Sequence, residues 1–578
     1  MPDFLKVLLS LVLWTPALMG WGAAVYRSSL VFEQGLLGIT LVTLVALWWN
    51  LLFPVGTALP VVLWGAGVAF FLVRNGHAAF WRAPRNLALA AFAALLTASN
   101  IFFSEFGWDV GFYYLPIIEW ASQQSVPLGL ANLFPWFGHN NSWFTFSAAL
   151  RLPLLDGAPS LCANALLNLF VTGAAFERAW KEARAGETVR ASTLFLWGTV
   201  VVGILEGSRI GFTHGAAQIN DSVLLFGLYT VYLNLRRCEH PAERPARELV
   251  WWFTFFLLTQ RVSAAPFLGL TLLTEAWLFF QTKTPWSFPM AIGWRGAILV
   301  VPFAIRGWMT SGCLLFPFPA SCWFPRAWSV PIEEVRLAQN ELMNGARLGP
   351  LPMGMNSEPL QPLPTWIGHW FKTILRPELG DYPYWMLGAW AAAALAAVVL
   401  KPRSHGWCDA KHRGVFGVWI FSILALGSAL LTAPRLNYYR AFAIVFAALP
   451  GVYFLRVAAW ERFVSWRRVF LTVGSLLLLQ QAYSHRFLRT AGSDLAHGKW
   501  PREMTDTYSE RKNAAGQTFF FPSDRDRCFD IPLPCSPYSL EDVEFQKIGN
   551  RYVFVRQWLG RRKEWEQNEN RPNGRAFH

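Results

Sequence analysis

Long apolar runs, repeated along the chain and separated by short polar bursts, constrain its fold more than any other feature. A helix of about 20 mainly apolar residues crosses a bilayer, and fewer suffice where it only reaches a cavity. Charged residues make up 15% of the 578 residues, too few for a solvated surface on a chain of this size. We therefore predict an all-α polytopic membrane protein with about 14 transmembrane helices. The predicted spans are 4–25, 32–53, 57–73, 86–103, 160–177, 191–206, 222–235, 249–261, 264–281, 291–306, 384–400, 415–432, 441–457 and 469–484.

The positions of Lys and Arg predict the orientation of these spans, because short loops rich in these residues stay on the cytoplasmic side. Between Arg85 and Arg151 there is neither Lys nor Arg, which places loop 104–142 outside. Alternation of the spans then places loop 307–383 and the segment after 484 outside as well, with both termini outside. The basic bursts, all predicted to be cytoplasmic, lie at 74–85, 178–190, 236–247, 401–413 and 456–468.

These bursts also account for the net charge of +14, so the charge does not indicate nucleic acid as a partner. Proteins that bind nucleic acid gather their cations on one helix or face, and no such helix stands apart here. The sequence also lacks a Walker-type glycine loop, an HExxH motif, a GxSxG motif in a suitable context and a dinucleotide fingerprint. A nucleotide-driven pump and a nucleotide-sugar enzyme are therefore disfavoured, whereas a lipid-linked donor remains possible.

Four of the seven cysteines form two close pairs in segments predicted to lie outside. Cys313 and Cys322 share loop 307–383, and Cys528 and Cys535 share the C-terminal segment. Because an oxidising exterior favours disulfides, we predict one bond in each pair. The alternative is that the paired cysteines are close by chance. Metal binding is disfavoured, since no histidine or further cysteine completes either set.

The chain divides into a transmembrane domain, 1–484, and a C-terminal domain, 485–578. The transmembrane domain carries the outer loops 104–142 and 307–383. In the C-terminal domain the residues from Glu544 to Gln557 alternate around a Gly-Asn pair, which predicts a hairpin with a two-residue turn. We expect a small α+β extracytoplasmic domain that acts as a lid or a partner surface.

Loop 104–142 holds the first candidate site. Acidic residues at membrane depth are costly and tend to be functional, and Asp109 lies where a span meets this loop. A carboxylate held there could abstract a proton from a hydroxyl; the alternative is that Asp109 only caps an interfacial helix. The candidate substrate-binding residues around it in sequence are Glu105, Tyr113, Tyr114, His139 and Asn141.

Two further groups of polar residues follow predicted spans on the outer side. The first contains Arg209, His214 and Asp221, whose alternative is ordinary loop polarity. The second contains Arg435 and Arg440. An outer arginine runs against the charge bias, and a phosphate would explain it, because the guanidinium fork matches phosphate oxygens. Contact of these arginines with ordinary lipid headgroups is the alternative. The same two interpretations apply to Arg306 and Arg261, at other outer span ends.

These features resemble the GT-C superfamily of polyprenyl-phosphate-sugar glycosyltransferases, and more narrowly an uncharacterised group of bacterial multi-span proteins with a similar pattern. The matching stretches are 109–114, 129–133 with 141–144, 311–317 with 328–331, 433–435 and 527–538. The resemblance implies that Asp109 is the catalytic base or a ligand of a divalent metal, Mg²⁺ or Mn²⁺. It implies that Arg435 or Arg440 steadies the lipid phosphate. Tyr114 departs from the group, which tends to have His there, and Glu105 or Asp221 would be a second carboxylate.

The function that the resemblance implies is direct displacement of a sugar from a polyprenyl-phosphate donor to an extracytoplasmic acceptor, either a glycan or a lipid. The expected location is the bacterial inner membrane, with the active face and the C-terminal domain outside. The expected partners are membrane lipid and the polyprenyl-phosphate sugar, and the sequence identifies no protein partner. The alternatives are a polysaccharide or lipid transporter or flippase, and a non-catalytic subunit of an envelope assembly. A transporter would favour inverted repeats, which we do not detect.

Overall fold

The computed structural model describes most of the chain. The described residues are 3–26, 30–56, 58–74, 109–155, 158–185, 190–206, 219–241, 243–282, 288–349, 359–360, 362–375, 410–457, 508–523, 527–528, 531–537, 542–549 and 551–556. The predicted spans 86–103, 384–400 and 469–484 lie outside them. Every other predicted span coincides with a helix.

The described residues form sixteen α-helices and a small C-terminal β region. The helices are α1 (Asp3–Val25), α2 (Val31–Asn50), α3 (Leu59–Val73), α4 (Leu115–Gln123), α5 (Leu130–Leu133), α6 (Ser142–Ala149), α7 (Ala163–Arg184), α8 (Ala191–Glu206), α9 (Ile219–Glu239), α10 (Arg244–Gln260), α11 (Ala265–Thr282), α12 (Phe288–Ser311), α13 (Ile332–Leu348), α14 (Leu363–Trp370), α15 (Ala410–Leu431) and α16 (Leu436–Val457). The strands are β1 (Tyr508–Lys512), β2 (Thr518–Pro522), β3 (Val543–Ile548) and β4 (Arg551–Arg556).

Four apolar helical segments in the described part of the chain are long enough to cross a membrane: Phe4–Val25, Val31–Asn50, Ser160–Ala183 and Val262–Gln281. Shorter apolar helices accompany them at Leu59–Val73, Ala191–Val200, Gly414–Leu430 and Tyr438–Val452. The helices satisfy their backbone hydrogen bonds internally, as lipid requires. The coarse prediction of a helical membrane protein agrees with these segments.

Glycines allow the first two helices to pack with their backbones in contact. A Cβ at Gly38 of α2 would lie 1.8 Å from the carbonyl oxygen of Leu18 in α1. A Cβ at Gly22 of α1 would lie equally close to the carbonyl oxygen of Gln34. Small residues at helix interfaces of this kind are typical of membrane proteins, where close backbone approach replaces the hydrophobic effect as the source of association.

The helix bundle has two ends that differ in chemistry. The helix α9, about 30 Å long, runs from one end to the other. At the end that we call the Glu33 end, Glu33 accepts a hydrogen bond from the Tyr229 hydroxyl at 2.9 Å and faces Arg236 at 3.5 Å. Glu243 is shared between Arg236 and Arg178, the latter at 3.3 Å. Arginines from the basic bursts therefore also tie α2, α7 and α9 together through buried ion pairs.

The opposite end, which we call the Asp109 end, carries Asp109, the loop that follows α12 and the C-terminal β region. The strands β1 and β2 pair antiparallel, as do β3 and β4. In the second pair Ile548 lies opposite Arg551, so a two-residue turn joins the strands. The predicted hairpin is thus confirmed. The alternating apolar side chains and the Gly-Asn pair were sufficient to predict it.

Both predicted disulfides are present. Cys313 is bonded to Cys322 beyond the end of α12, and Cys528 is bonded to Cys535 beside β2. Disulfides persist in oxidising compartments, so the bond in the C-terminal region fits an extracytoplasmic location.

The hairpin β3–β4 docks on the segment between α4 and α5. The amide of Leu128 donates to the Tyr552 carbonyl, and the amide of Phe554 donates to the Leu128 carbonyl, both at 2.8 Å. The Asn132 side chain donates to the carbonyls of Phe554 at 3.2 Å and Trp328 at 2.7 Å. The C-terminal region and the segments 104–142 and 307–383 therefore meet at one buried asparagine.

We expect Asn132→Ala to loosen the hairpin, because it removes the donor from the carbonyls of Phe554, which is buried, and Trp328, which is half-buried. Such a loss costs roughly 1–3 kcal/mol, so amide exchange at Leu128 and Phe554 should accelerate roughly tenfold to a hundredfold. Hydrogen exchange followed by mass spectrometry measures this. Gln123→Ala, at an exposed position at the end of α4, is the control. Equal exchange in Asn132→Ala and wild type would show that the hairpin is held without this side chain.

Candidate active site

Asp109 stands at the start of a π-helical turn, Val110–Tyr114, that leads into α4. A π turn brings residues five apart together, and the Tyr114 hydroxyl donates to Oδ2 of Asp109 at 3.5 Å. Tyr113, which an α-helical turn would place over Asp109, instead packs its ring 4.5 Å from that of Tyr114. Asp109 itself is half-buried, whereas both tyrosines are buried. Turns of this type are frequent at functional sites.

Two guanidinium groups act on the Asp109 carboxylate. Burial raises the pKa of Asp109 above its ordinary value of 3.8. The positive charge of Arg261, the hydrogen bond from Tyr114 and the positive charge of Arg435 oppose that rise, in decreasing order. Burial thus favours the protonated form and the two arginines favour the carboxylate, and a carboxylate with a raised pKa is a stronger acceptor of a proton.

Arg261 lies in the break between α10 and α11, where the backbone is extended with φ −160° and ψ 138°. Its guanidinium carbon stands 3.6 Å from the centre of the Tyr438 ring, and its Nη1 donates to the side chain of Asn220. The ring of Tyr438 comes from the first turn of α16, and Asn220 comes from the first turn of α9. Arg261 is therefore fixed at a point where the ends of several helices meet.

Arg435 lies in the short link between α15 and α16. Its Nη2 donates to the carbonyl of Gly345 in α13 at 3.2 Å. In the same link, the carbonyl of Pro434 accepts a hydrogen bond from Trp370 Nε1 of α14 at 2.6 Å. Two helices of the outer loop 307–383 thus hold the link that carries Arg435.

Asp221 and Arg440, which belong to two different predicted groups, form an ion pair. Arg440 Nη1 lies 3.6 Å from Oδ1 of Asp221, and Asp221 follows Asn220 in the first turn of α9. Within the described chain, the buried Oδ2 of Asp221 has no hydrogen-bond partner. Asp221 is thus the sequence neighbour of Asn220, whose side chain holds Arg261, whereas Arg209 and His214 of the same predicted group lie outside the described residues.

His139 belongs to an aromatic cluster with Tyr113, Trp136 and Phe316. Its ring centre lies 6.3 Å from that of Tyr113 and 5.9 Å from that of Phe316. Burial and the positive charge of Arg261 lower the pKa of His139 from 6.5 to about 4. The imidazole is therefore neutral at physiological pH, and it responds to the same arginine as Asp109.

Two predicted residues have structural contacts instead. Asn141 caps α6 by accepting the Trp143 amide at 2.7 Å, and it donates to the carbonyl of Gln260. It therefore holds the residue before Arg261. Arg306, buried in α12, donates to the side chains of Asn50 and, at 3.0 Å, Thr145. Arg306 joins α2, α6 and α12, a different set of contacts from those around Asp109.

The predicted residues Glu105, Arg209 and His214 lie outside the described residues. Of the described residues linked to Asp109 directly or through Tyr113, sequence reasoning singled out Tyr113, Tyr114, His139 and Arg435. For Arg261 the sequence supported only the two general interpretations of an arginine at the predicted outer end of a span, phosphate binding or contact with lipid headgroups. The residue missed altogether is Trp136, whose ring stacks on His139. Among the 31 tryptophans of this chain, no local signal distinguishes it.

The described residues do not fit a divalent metal at this site. No group of three metal-ligating side chains occurs in the described part of the chain. Asp109 is flanked by the positive charges of Arg261 and Arg435, and Asp221 faces Arg440. A cation placed between these carboxylates would meet the guanidinium groups, which already neutralise them.

No curated protein and no solved structure matches this chain. A family model does match, over residues 4–444, which is most of the chain and includes every residue of the site just described. Its description is a domain of unknown function, DUF8201. The chain therefore belongs to the DUF8201 family.

Proposed function

We propose that this protein is a membrane glycosyltransferase that moves a sugar from a polyprenyl-phosphate donor to an extracytoplasmic acceptor. In this proposal about 14 spans in a GT-C-like arrangement cross the bacterial inner membrane. The observation that carries the proposal is the half-buried Asp109 carboxylate at the start of the π-helical turn, hydrogen-bonded by Tyr114 and acted on by the charges of Arg261 and Arg435. The disulfide of the C-terminal region supports an outer location for this end of the bundle.

The acceptor hydroxyl would attack the anomeric carbon of the donor sugar. As the new carbon–oxygen bond forms, the bond from that carbon to the phosphate oxygen breaks, and its electron pair leaves with the phosphate. The hydroxyl proton passes to Asp109. Tyr114 donates to Oδ2, which leaves Oδ1 as the atom that takes the proton. General-base assistance of this kind contributes roughly 10²–10⁴ in rate.

The departing polyprenyl phosphate gains negative charge, which Arg261 and Arg435 would compensate. Fixed charges directed at the point where charge develops are the most effective form of electrostatic stabilisation. Arg261 is suited to this role because Tyr438 and Asn220 hold its guanidinium before any ligand binds. Since the described carboxylates already face arginines, no step here passes through a metal ion.

The test is a transfer assay on the full chain in nanodiscs, with a panel of polyprenyl-phosphate sugars and with membrane glycans and lipids as acceptors. We expect product from wild type. For Arg261→Gln we expect a tenfold to hundredfold loss of kcat/KM, because hydrogen bonds to a charged group are worth roughly 1.5–3 kcal/mol. Arg326→Gln, at an exposed arginine of loop 307–383, is the matched control and should be unaffected.

A wild-type protein that transfers none of these sugars, while binding of polyprenyl phosphate is also absent, would overturn the proposed function. Equal activity of Arg261→Gln and wild type would retain the enzyme but remove Arg261 from the phosphate site.

A further inference from the structure

A pair of stacked aromatic rings lies against Tyr113, in the π-helical turn that begins at Asp109. The rings of Trp136 and His139 are 5.2 Å apart, with 30° between their planes. Tyr113 packs against Trp136 at 5.5 Å, and Phe316 contacts the edge of His139 at 5.9 Å. Tyr113 and Phe316 are buried, whereas Trp136 and His139 are half-buried. The stack is therefore backed by buried rings and keeps part of its surface open.

The polar atoms of the stack make no hydrogen bond to the part of the chain that the structure describes. Within the described residues, neither the His139 nitrogens nor Trp136 Nε1 has a hydrogen-bond partner. The indole N–H is a donor, and the neutral imidazole has one donor and one acceptor nitrogen, so the open edges of the stack can form hydrogen bonds to a ligand.

The chemistry of the stack selects the class of ligand. Because burial and Arg261 keep the imidazole uncharged at neutral pH, the stack offers aromatic faces and neutral N–H and N groups at their edges. An anion finds no cation in the stack itself, and an alkyl chain would leave the ring nitrogens without partners. A pyranose ring fits, because it has a C–H face for the aromatic surface and hydroxyls at its rim that both donate and accept.

We propose that Trp136 and His139 form the sugar subsite, on which the pyranose ring of the donor rests while Arg261 and Arg435 hold its phosphate. Hydroxyl groups of the sugar bond to the ring nitrogens of both side chains. This inference rests on the proposed function, from which it takes the lipid phosphate as the neighbouring group.

The position of Arg261 favours the donor sugar over the acceptor. The charge of Arg261 acts on both Asp109 and His139, so the guanidinium lies within electrostatic reach of the carboxylate and of the stack. In a polyprenyl-phosphate sugar the anomeric carbon is bonded directly to a phosphate oxygen. A phosphate on Arg261 therefore brings the attached ring to the stack, with its anomeric carbon towards Asp109.

The experiment compares dissociation constants for two lipids, a polyprenyl phosphate and the same lipid carrying glucose or galactose, by thermophoresis in detergent. For Trp136→Ala we expect the sugar-bearing lipid that wild type binds best to bind roughly tenfold more weakly. We expect the bare phosphate to bind as in wild type. Trp136→Phe keeps a ring face without the N–H and should be intermediate. Trp323→Ala, which removes an exposed tryptophan of the same end, is the control for folding.

Equal weakening of both lipids in Trp136→Ala, or of neither, would overturn the sugar subsite while leaving the phosphate site in place. A rise in KM for the acceptor with unchanged donor affinity would overturn the assignment to the donor and give the stack to the acceptor sugar. If wild type bound neither lipid, the proposed function itself would fail, and the donor subsite with it.

Discussion

Asp109→Asn should lower kcat for sugar transfer by roughly a hundredfold to ten-thousandfold, the usual contribution of a positioned general base. The amide is nearly the same size as the carboxylate and can still accept the hydrogen bond from Tyr114, but it cannot take the acceptor proton. Affinity for the polyprenyl phosphate should not fall, since the change removes a negative charge from beside Arg261 and Arg435. The loss should therefore appear in kcat, as measured by single-turnover transfer in nanodiscs.

The pH profile of wild type gives a second readout of the same residue. Burial raises the pKa of Asp109 above 3.8, and only the ionised form can act as base. Activity should thus be fully present above that raised pKa and should be lost as the pH falls through it. On the acid side of the profile, the pH at which kcat/KM falls to half its maximum should lie above the pKa of an ordinary aspartate, which is about 4.

The control for this change is Glu544→Gln, which removes an exposed carboxylate from β3 of the same end. It should keep full activity. Asp109 makes no side-chain capping hydrogen bond to the turn that precedes α4, so transfer that survives Asp109→Asn would remove it from the reaction, and the proton acceptor would then be sought at Asp221.

The features that sequence reasoning predicted well depend on neighbours in the chain. A span needs only an apolar run of sufficient length, and the hairpin β3–β4 needs only alternating residues around a turn pair. The two disulfides follow from the close spacing of the cysteines in each pair and from their predicted location on the oxidising side of the membrane. Each of these signals is local, so a single sequence contains all of it.

The contacts that define the candidate site are not local. Arg261 rests on Tyr438 and bonds to Asn220, residues from α16 and α9 that lie far from it in the sequence. The pairing of Asp221 with Arg440 likewise joins two distant helices. The charge bias identified these arginines as unusual, but their partners depend on how the helices pack. The same reason explains why Arg306, with an identical sequence signal, contacts Asn50 and Thr145 instead.

The basic bursts show a second limit of sequence reasoning. Counting Lys and Arg predicts the side of a loop, because the positive-inside bias concerns insertion. It does not predict what those side chains contact afterwards. In the structure Arg237 of α9 and Arg247 of α10 both pair with Glu275 of α11, and both Arg237 and Glu275 are buried. Residues that the charge pattern assigns to cytoplasmic loops thus form interhelical contacts at the Glu33 end.

Glu275→Ala should destabilise the protein by roughly 3–5 kcal/mol, because it leaves the buried Arg237 guanidinium without its counter-charge. One guanidinium nitrogen of Arg237, Nη1, already lacks a hydrogen-bond partner in the described chain, so the remaining group cannot be satisfied by a small adjustment. Unfolding by sodium dodecyl sulfate in mixed micelles, followed by circular dichroism, measures the change. The matched control is Lys181→Ala, which breaks a more exposed pair with Glu177, where the lysine is 41% exposed; it should cost at most about 1 kcal/mol.

The double variant Glu275→Leu with Arg237→Leu separates the cost of an unpaired charge from the value of the pair. Removing both partners together should restore most of the stability lost in the single variant, because a buried ion pair roughly balances its own desolvation. A double variant as unstable as Glu275→Ala would instead mean that the pair itself stabilises the contact between α9 and α11. A single variant within about 1 kcal/mol of wild type would show that water reaches Arg237, and that the Glu33 end is more open than its packing indicates.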